Sequence, residues 1–113
     1  MEAAQAKELI KQCYEDKCVT INGHDYKYLP TTHEKRLKVF SYMMGVQKQM
    51  TNGDLSFMGS DGWKNIVSVM SNIIMYDDSI LSRKKDHWEQ EEFSGDYIKL
   101  MLTSLQVISY PLL

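Results

Sequence analysis

The chain has 113 residues, 43% of them apolar and 25% charged, with a formal net charge of −2. That length suits one domain, and a chain of this size buries roughly two-thirds of its unfolded surface, so it needs neither disulfides nor a metal to stay folded. The near-neutral balance lacks the basic excess of a dedicated nucleic-acid binder, the opening "MEAAQAKELIKQ" lacks the apolar stretch of a secretion signal, and no run of about 18 apolar residues is present to span a bilayer.

Glu2 to Asp16 is rich in Ala, Lys and Glu and reads as a helix with a thin apolar side at Leu9, Ile10 and Cys13. Cys18 to Ile21 holds β-branched residues that suit a strand. Asn22-Gly23 follows, a strong two-residue hairpin signal because both positions tolerate positive φ. Tyr26 and Tyr28 fit the returning strand, and Pro30 ends it by removing a donor. A lone two-stranded hairpin is marginal in water, so it must rest on a helix or on another subunit.

"TTHE" opens the next helix, with Glu34 three residues after Thr31 as in a capping box, or with Thr32 as the cap. The helix is predicted to run to about Met50, where Thr51-Asn52-Gly53-Asp54 is turn chemistry. Leu37, Phe40 and Met44 form one stripe, and Val39, Tyr42, Met43, Val46 and Met50 widen the apolar arc to about 220°. A surface helix needs only about 100° to cover its own core. The excess calls for a second neighbour, inside the chain or outside it.

"LSFMGSDG" reads as a loop, with Ser60 or Asp61 capping a helix that carries Trp63, Ile66, Val67, Met70, Ile73 and Ile74 on one face. "YDDSILSRKKDHWEQEEF" is charged and irregular. Ser79 to Ser82 is a short strand or a helical turn, and Trp88 and Phe93 pin the segment down. The last helix starts near Ser94-Gly95-Asp96, carries Tyr97, Ile98, Met101, Leu102, Leu105 and Ile108, and stops at Pro111. The predicted fold is mainly α with a short N-terminal β-hairpin at about residues 18–29, in a small helical bundle of four or so helices. Residues 1–17 form an N-terminal helix ahead of a single domain over 18–113.

Little here carries chemistry. Cys13 and Cys18 lack the spacing and the second pair of a zinc knuckle and read as reduced thiols. His24, His33 and His87 are isolated in sequence, and nothing in the sequence pairs one of them with a cysteine nucleophile. Asp77-Asp78 and Glu89, Glu91 and Glu92 read as solvated surface or a helix start. Arg83 to Lys85 is too short a basic run for a phosphate groove, and no P-loop, dinucleotide fingerprint or nucleophile elbow is present. Met43, Met44, Met50 and Met58 cluster around one helix and its following loop, and thioether chains adapt to varied apolar partners.

The order of elements resembles the tail assembly chaperones of long-tailed phages and prophages. "INGHDYKY" matches a brief G-x-x-Y hairpin at Gly23 and Tyr26, "FSGDY" a late F-x-G-x-Y stretch at Phe93, Gly95 and Tyr97, and the final helix ends near Pro111. The likeness covers residues 18–113. It implies a non-catalytic protein of the host bacterial cytoplasm that binds the long, helical tape measure protein and keeps it soluble during tail assembly, with no cofactor, metal, nucleic acid, membrane or small-molecule substrate. It also implies a short product of a gene that is sometimes read on into a longer frameshifted form. Homo-oligomerisation through the hairpin edge is consistent with the low net charge. The contact residues expected for the partner are Phe40, Met43, Met44, Phe57 and Met58. The alternatives are a structural tail or neck subunit retained in the virion and a small metal-binding or enzymatic protein.

Overall fold

A computed structural model describes residues 3–113; Glu2, the predicted start of the first helix, lies outside them. Helix α1 spans Ala3–Asp16. Lys17, with a left-handed φ of 56°, breaks it and turns the chain into β1, Cys18–Ile21. Asn22 and Gly23 take φ values of 52° and 84°, the mirror-image two-residue turn that matches the twist of paired strands. Strand β2, His24–Tyr28, then pairs antiparallel with β1, Val19 opposite Tyr26 and Ile21 opposite His24. Side chains alternate across a strand, so Val19, Ile21, Tyr26 and Tyr28 share the buried face while Thr20, Asp25 and Lys27 face solvent.

This hairpin is half of a larger sheet. β2 pairs antiparallel with β3, Ile74–Tyr76, and β3 with β4, Ser79–Ile80, in the order β1-β2-β3-β4. The expected architecture of a helical bundle with a lone hairpin is therefore corrected to five helices packed, among the described residues, with a four-stranded antiparallel sheet. The reason lies at the end of α3, Asp61–Ser71. Ile73 and Ile74 extend its apolar face on paper, but Asn72 stops the helix. Its backbone N–H donates to the Val69 carbonyl at 3.2 Å and its side-chain amide to the Ser68 carbonyl at 3.2 Å. Past it the β-branched residues pair instead. Leu29 N–H donates to the Ile73 carbonyl at 2.7 Å, and Ile74 lies opposite Tyr28. The β3–β4 turn repeats the first with other residues, Asp77 at φ 51° and Asp78 at 67°; short carboxylate side chains tolerate this region. Ser79 to Ser82 holds both of its predicted forms, β4 followed by a 3₁₀ turn at Leu81–Arg83.

Between the hairpins, α2 spans His33–Thr51. Thr32, not Thr31, is its cap and accepts from the Lys35 N–H at 3.2 Å. A 3₁₀ turn at Ser56–Gly59 leads to Ser60, whose hydroxyl accepts from the Trp63 N–H at 3.1 Å and caps α3. After β4 come a 3₁₀ turn at His87–Glu89, the short α4 at Glu91–Ser94, and α5 at Tyr97–Ser109, closed by a 3₁₀ turn holding Pro111. The wide apolar arc of α2 finds neighbours inside the chain, because α2 packs against both α3 and α5. Val39, Met43 and Val46 are buried there, Phe40, Tyr42 and Met50 half-buried. Arg36 reaches across to donate to the Ile108 carbonyl at 2.7 Å, at the negative end of α5. Helix α1 lies on α5 and the C-terminal turn, with Ile10, Cys13 and Tyr14 packed against the core and the Tyr14 and Tyr110 rings 5.1 Å apart. No helix among the described residues is long and apolar enough to cross a membrane.

Candidate functional site

Three segments meet at one carboxylate. The β1–β2 turn supplies Asn22, β2 supplies His24 and Tyr26 from its inner face, and Asp96, just ahead of α5, is fully buried beneath them. Tyr26 Oη donates to Asp96 Oδ2 at 2.7 Å, His24 Nδ1–H donates to the same oxygen at 2.6 Å, and the Asn22 amide donates to Oδ1 at 2.9 Å. Since the one phenol proton goes to the carboxylate, Tyr26 Oη accepts from His87 Nε2–H, 2.9 Å away. That assignment fixes the tautomer of His87.

Burial by itself would raise the pKa of Asp96, but hydrogen bonds from Tyr26, Asn22 and His24 favour the charged form and hold the carboxyl below its ordinary range. The same burial, with Asp96 as acceptor, pushes the Tyr26 phenol far up, so it stays protonated. His87 is 2% exposed in a box of rings, stacked on Phe93 at 4.2 Å and edge-on to Trp88 at 4.5 Å. Burial, then Lys84, lowers its pKa against the opposing pull of Asp96 and Glu92, so it is neutral at pH 7. His24 packs on Phe93 at 4.8 Å and lines an open cleft with Asp25, Lys27, Tyr76 and Asp77.

Chemically, a histidine whose Nδ1–H is held by a buried carboxylate keeps its lone pair on Nε2, the orientation of a general base. The same bonds also tie the hairpin to the start of α5 and to the His87 turn. Among the described residues no three His, Cys, Asp or Glu side chains gather so as to hold a metal ion. Cys13 and Cys18 are free and half-buried, and burial, followed by the neighbouring Cys18 and Asp16, raises the Cys13 thiol and disfavours its thiolate. His33, Arg83, Lys85, Glu89, Glu91 and Glu92 are exposed, and Asp77-Asp78 form the β3–β4 turn.

The residues that carry the family resemblance, far apart in sequence, largely converge here. Gly23 supplies the left-handed turn, Tyr26 the phenol on Asp96, Phe93 the ring under both histidines, and the Gly95 carbonyl faces the Asn22 amide at 3.4 Å. Tyr97 Oη accepts from the Trp63 indole N–H at 3.0 Å and links α5 to α3. Pro111 lies apart, in the C-terminal turn.

The five residues expected to meet a partner are not one surface. Met43 and Phe57 are core side chains, 3% and 7% exposed, Phe57 set against Trp63 at 5.5 Å. Phe40 and Met58 are half-buried against the core, and Met44 is 48% exposed. Sequence reasoning passed over Asp96, which it placed as a helix start, and Asn22, which it placed as a turn residue. The β2–β3 pairing and the fold of the link bring these residues together, and no local pattern records either. Comparison with known families, with characterised proteins and with solved structures returns no match.

Proposed function

We propose that the chain is a non-catalytic tail assembly chaperone of a long-tailed phage or prophage, working in the host bacterial cytoplasm, which holds the helical, apolar tape measure protein in solution until the tube forms around it. The motif resemblance suggests the reading, and one observation carries it. Leu9, Leu37, Met44, Ile98 and Leu113 stay 45–67% exposed, spread over α1, α2, α5 and the chain end. Dispersed apolar contacts without a deep pocket suit a holder that must bind a long client at many places and release it. The Asp96 cluster then serves as frame, fixing the hairpin against the helices so that these side chains keep their places.

The test is co-expression with a long, helical tape measure protein. The client is expected to become soluble with the chain present. It should return to the pellet with a folded variant carrying Leu9→Ser, Leu37→Ser, Met44→Ser and Ile98→Ser. Stoichiometric copies of the chain in purified particles, by mass spectrometry, would reject the chaperone in favour of a retained tail or neck subunit. A second reading, acid–base chemistry at His24, is favoured by the 2.6 Å bond that orients its ring. It requires that His24→Gln abolish a turnover that the chaperone reading does not contain.

A further inference from the structure

We infer that the outer face of α2 is a self-association surface whose resting occupant is the α2 of a second copy, lying antiparallel. The inference goes beyond the chaperone reading and holds whatever the client is. Glu34, Leu37, Ser41, Met44, Lys48 and Thr51 follow one another along α2 at alternating steps of three and four residues. That is the 3.5-residue repeat of a helix-pairing seam, and all six side chains are exposed. Its apolar members, Leu37 and Met44, are 45% and 48% exposed. They stand two turns apart, about 10.5 Å along the axis, with the small Ser41 between them.

Gly45 is the second observation. A glycine inside a helix lowers its stability relative to alanine, and among the described residues nothing beyond its chain neighbours and its own helix backbone lies within 4 Å of the Cβ that Gly45 lacks. No contact among the described residues accounts for it. Close approach by another helix does.

Charge selects the occupant. The seam runs from an acid, Glu34, to a base, Lys48. Reversing a second α2 about Ser41 sets Glu34 level with Lys48 of the partner subunit, and Lys48 level with Glu34 of the partner subunit. The same reversal brings Leu37 within about 1.5 Å, along the axis, of the level of Met44 of the partner subunit. Gly45 falls level with Leu37 of the partner subunit. A parallel copy would instead oppose like charges at both ends. The pairing of Glu34 with Lys38, at 4.0 Å and with side chains 83% and 62% exposed, is too solvated to compete. The contact is isologous, each copy giving and receiving the same patch.

So small an interface is weak, so the experiment is sedimentation velocity on the full chain at about 10 and 500 μM. A reversible dimer is expected at the higher concentration. Glu34→Lys should weaken it by about 5–10-fold, and adding Lys48→Glu should restore it, since the swapped pair is again complementary. Gly45→Gln should melt no lower than the parent chain yet remain monomeric. A parent chain that stays monomeric at 500 μM overturns the proposal. So does a dimer indifferent to Glu34→Lys, or one that survives Gly45→Gln.

Discussion

The Asp96 cluster and the outer face of α2 lie on one small molecule and follow opposite rules. The first puts a carboxylate where water cannot reach and satisfies it with three donors; the second leaves Leu37 and Met44 about half exposed, at 45% and 48%. A buried polar group is costly when a partner is missing, so the cluster tolerates little change. An exposed apolar side chain adds almost nothing to folding, so the α2 face is free to vary for other ends. The contrast separates residues that specify the shape from residues available for contact.

The sharpest way to break it is Asp96→Ala, which strands Tyr26, Asn22 and His24 at once. An expected loss of about 3–5 kcal/mol is read from the urea midpoint. If the loss is under about 1 kcal/mol, the cluster is not the frame. Acid is the next lever. In the unfolded chain His87 takes up a proton near pH 6.5, whereas in the folded chain burial and Lys84 keep it neutral to lower pH. Below about pH 6.5 the unfolded state therefore binds more protons, and stability present at pH 7 is lost. Asp96, held ionised below its ordinary range, extends the loss through and below the ordinary carboxylate pKa of about 3.9. Urea midpoints at pH 7 and pH 5 should differ less in His87→Phe than in the parent chain.

A milder probe is Tyr28→Phe. It removes the bond between Tyr28 Oη and Ser104 Oγ, 2.8 Å long and buried between β2 and α5, for about 1 kcal/mol. At the bottom of the scale, Leu37→Gln and Met44→Gln should each shift stability by less than about 0.5 kcal/mol while affecting association. Met43→Gln, one residue along but in the core, should cost several times more. Equal effects at positions 43 and 44 would erase the distinction between the two regions.

What the sequence announced was local chemistry. Asn22-Gly23, the helix starts at Thr31 or Thr32 and at Ser60 or Asp61, and the apolar spacing of α3 and α5 each act within a few residues, so each was visible in a short window, though which residue of each pair caps was not. The second half of the sheet was hidden because Ile73 and Ile74 prolong the helical pattern of Trp63, Ile66 and Met70. One polar residue, Asn72, decides between the two continuations. The width of the α2 arc signalled two neighbours but not that α3 and α5 would be those neighbours. The Asp96 cluster had no periodicity to betray it. Its members come from a turn, a strand, a 3₁₀ turn and a helix start, and their meeting is a property of the whole fold.

The register of Tyr28 against Ile74 also governs how the molecule comes to exist. Each two-residue turn lets its hairpin zip locally, on the scale of about 1–10 μs. Joining the hairpins, however, closes a loop that contains all of α2 and α3, and that closure entropy falls due before the long-range pairing rewards it. Assembly of the sheet's middle is thus the slow event, with the two helices already enclosed when it finishes. A chain nicked between Asn52 and Leu55 would have to make the same join from two pieces, and its refolding rate would then rise with concentration.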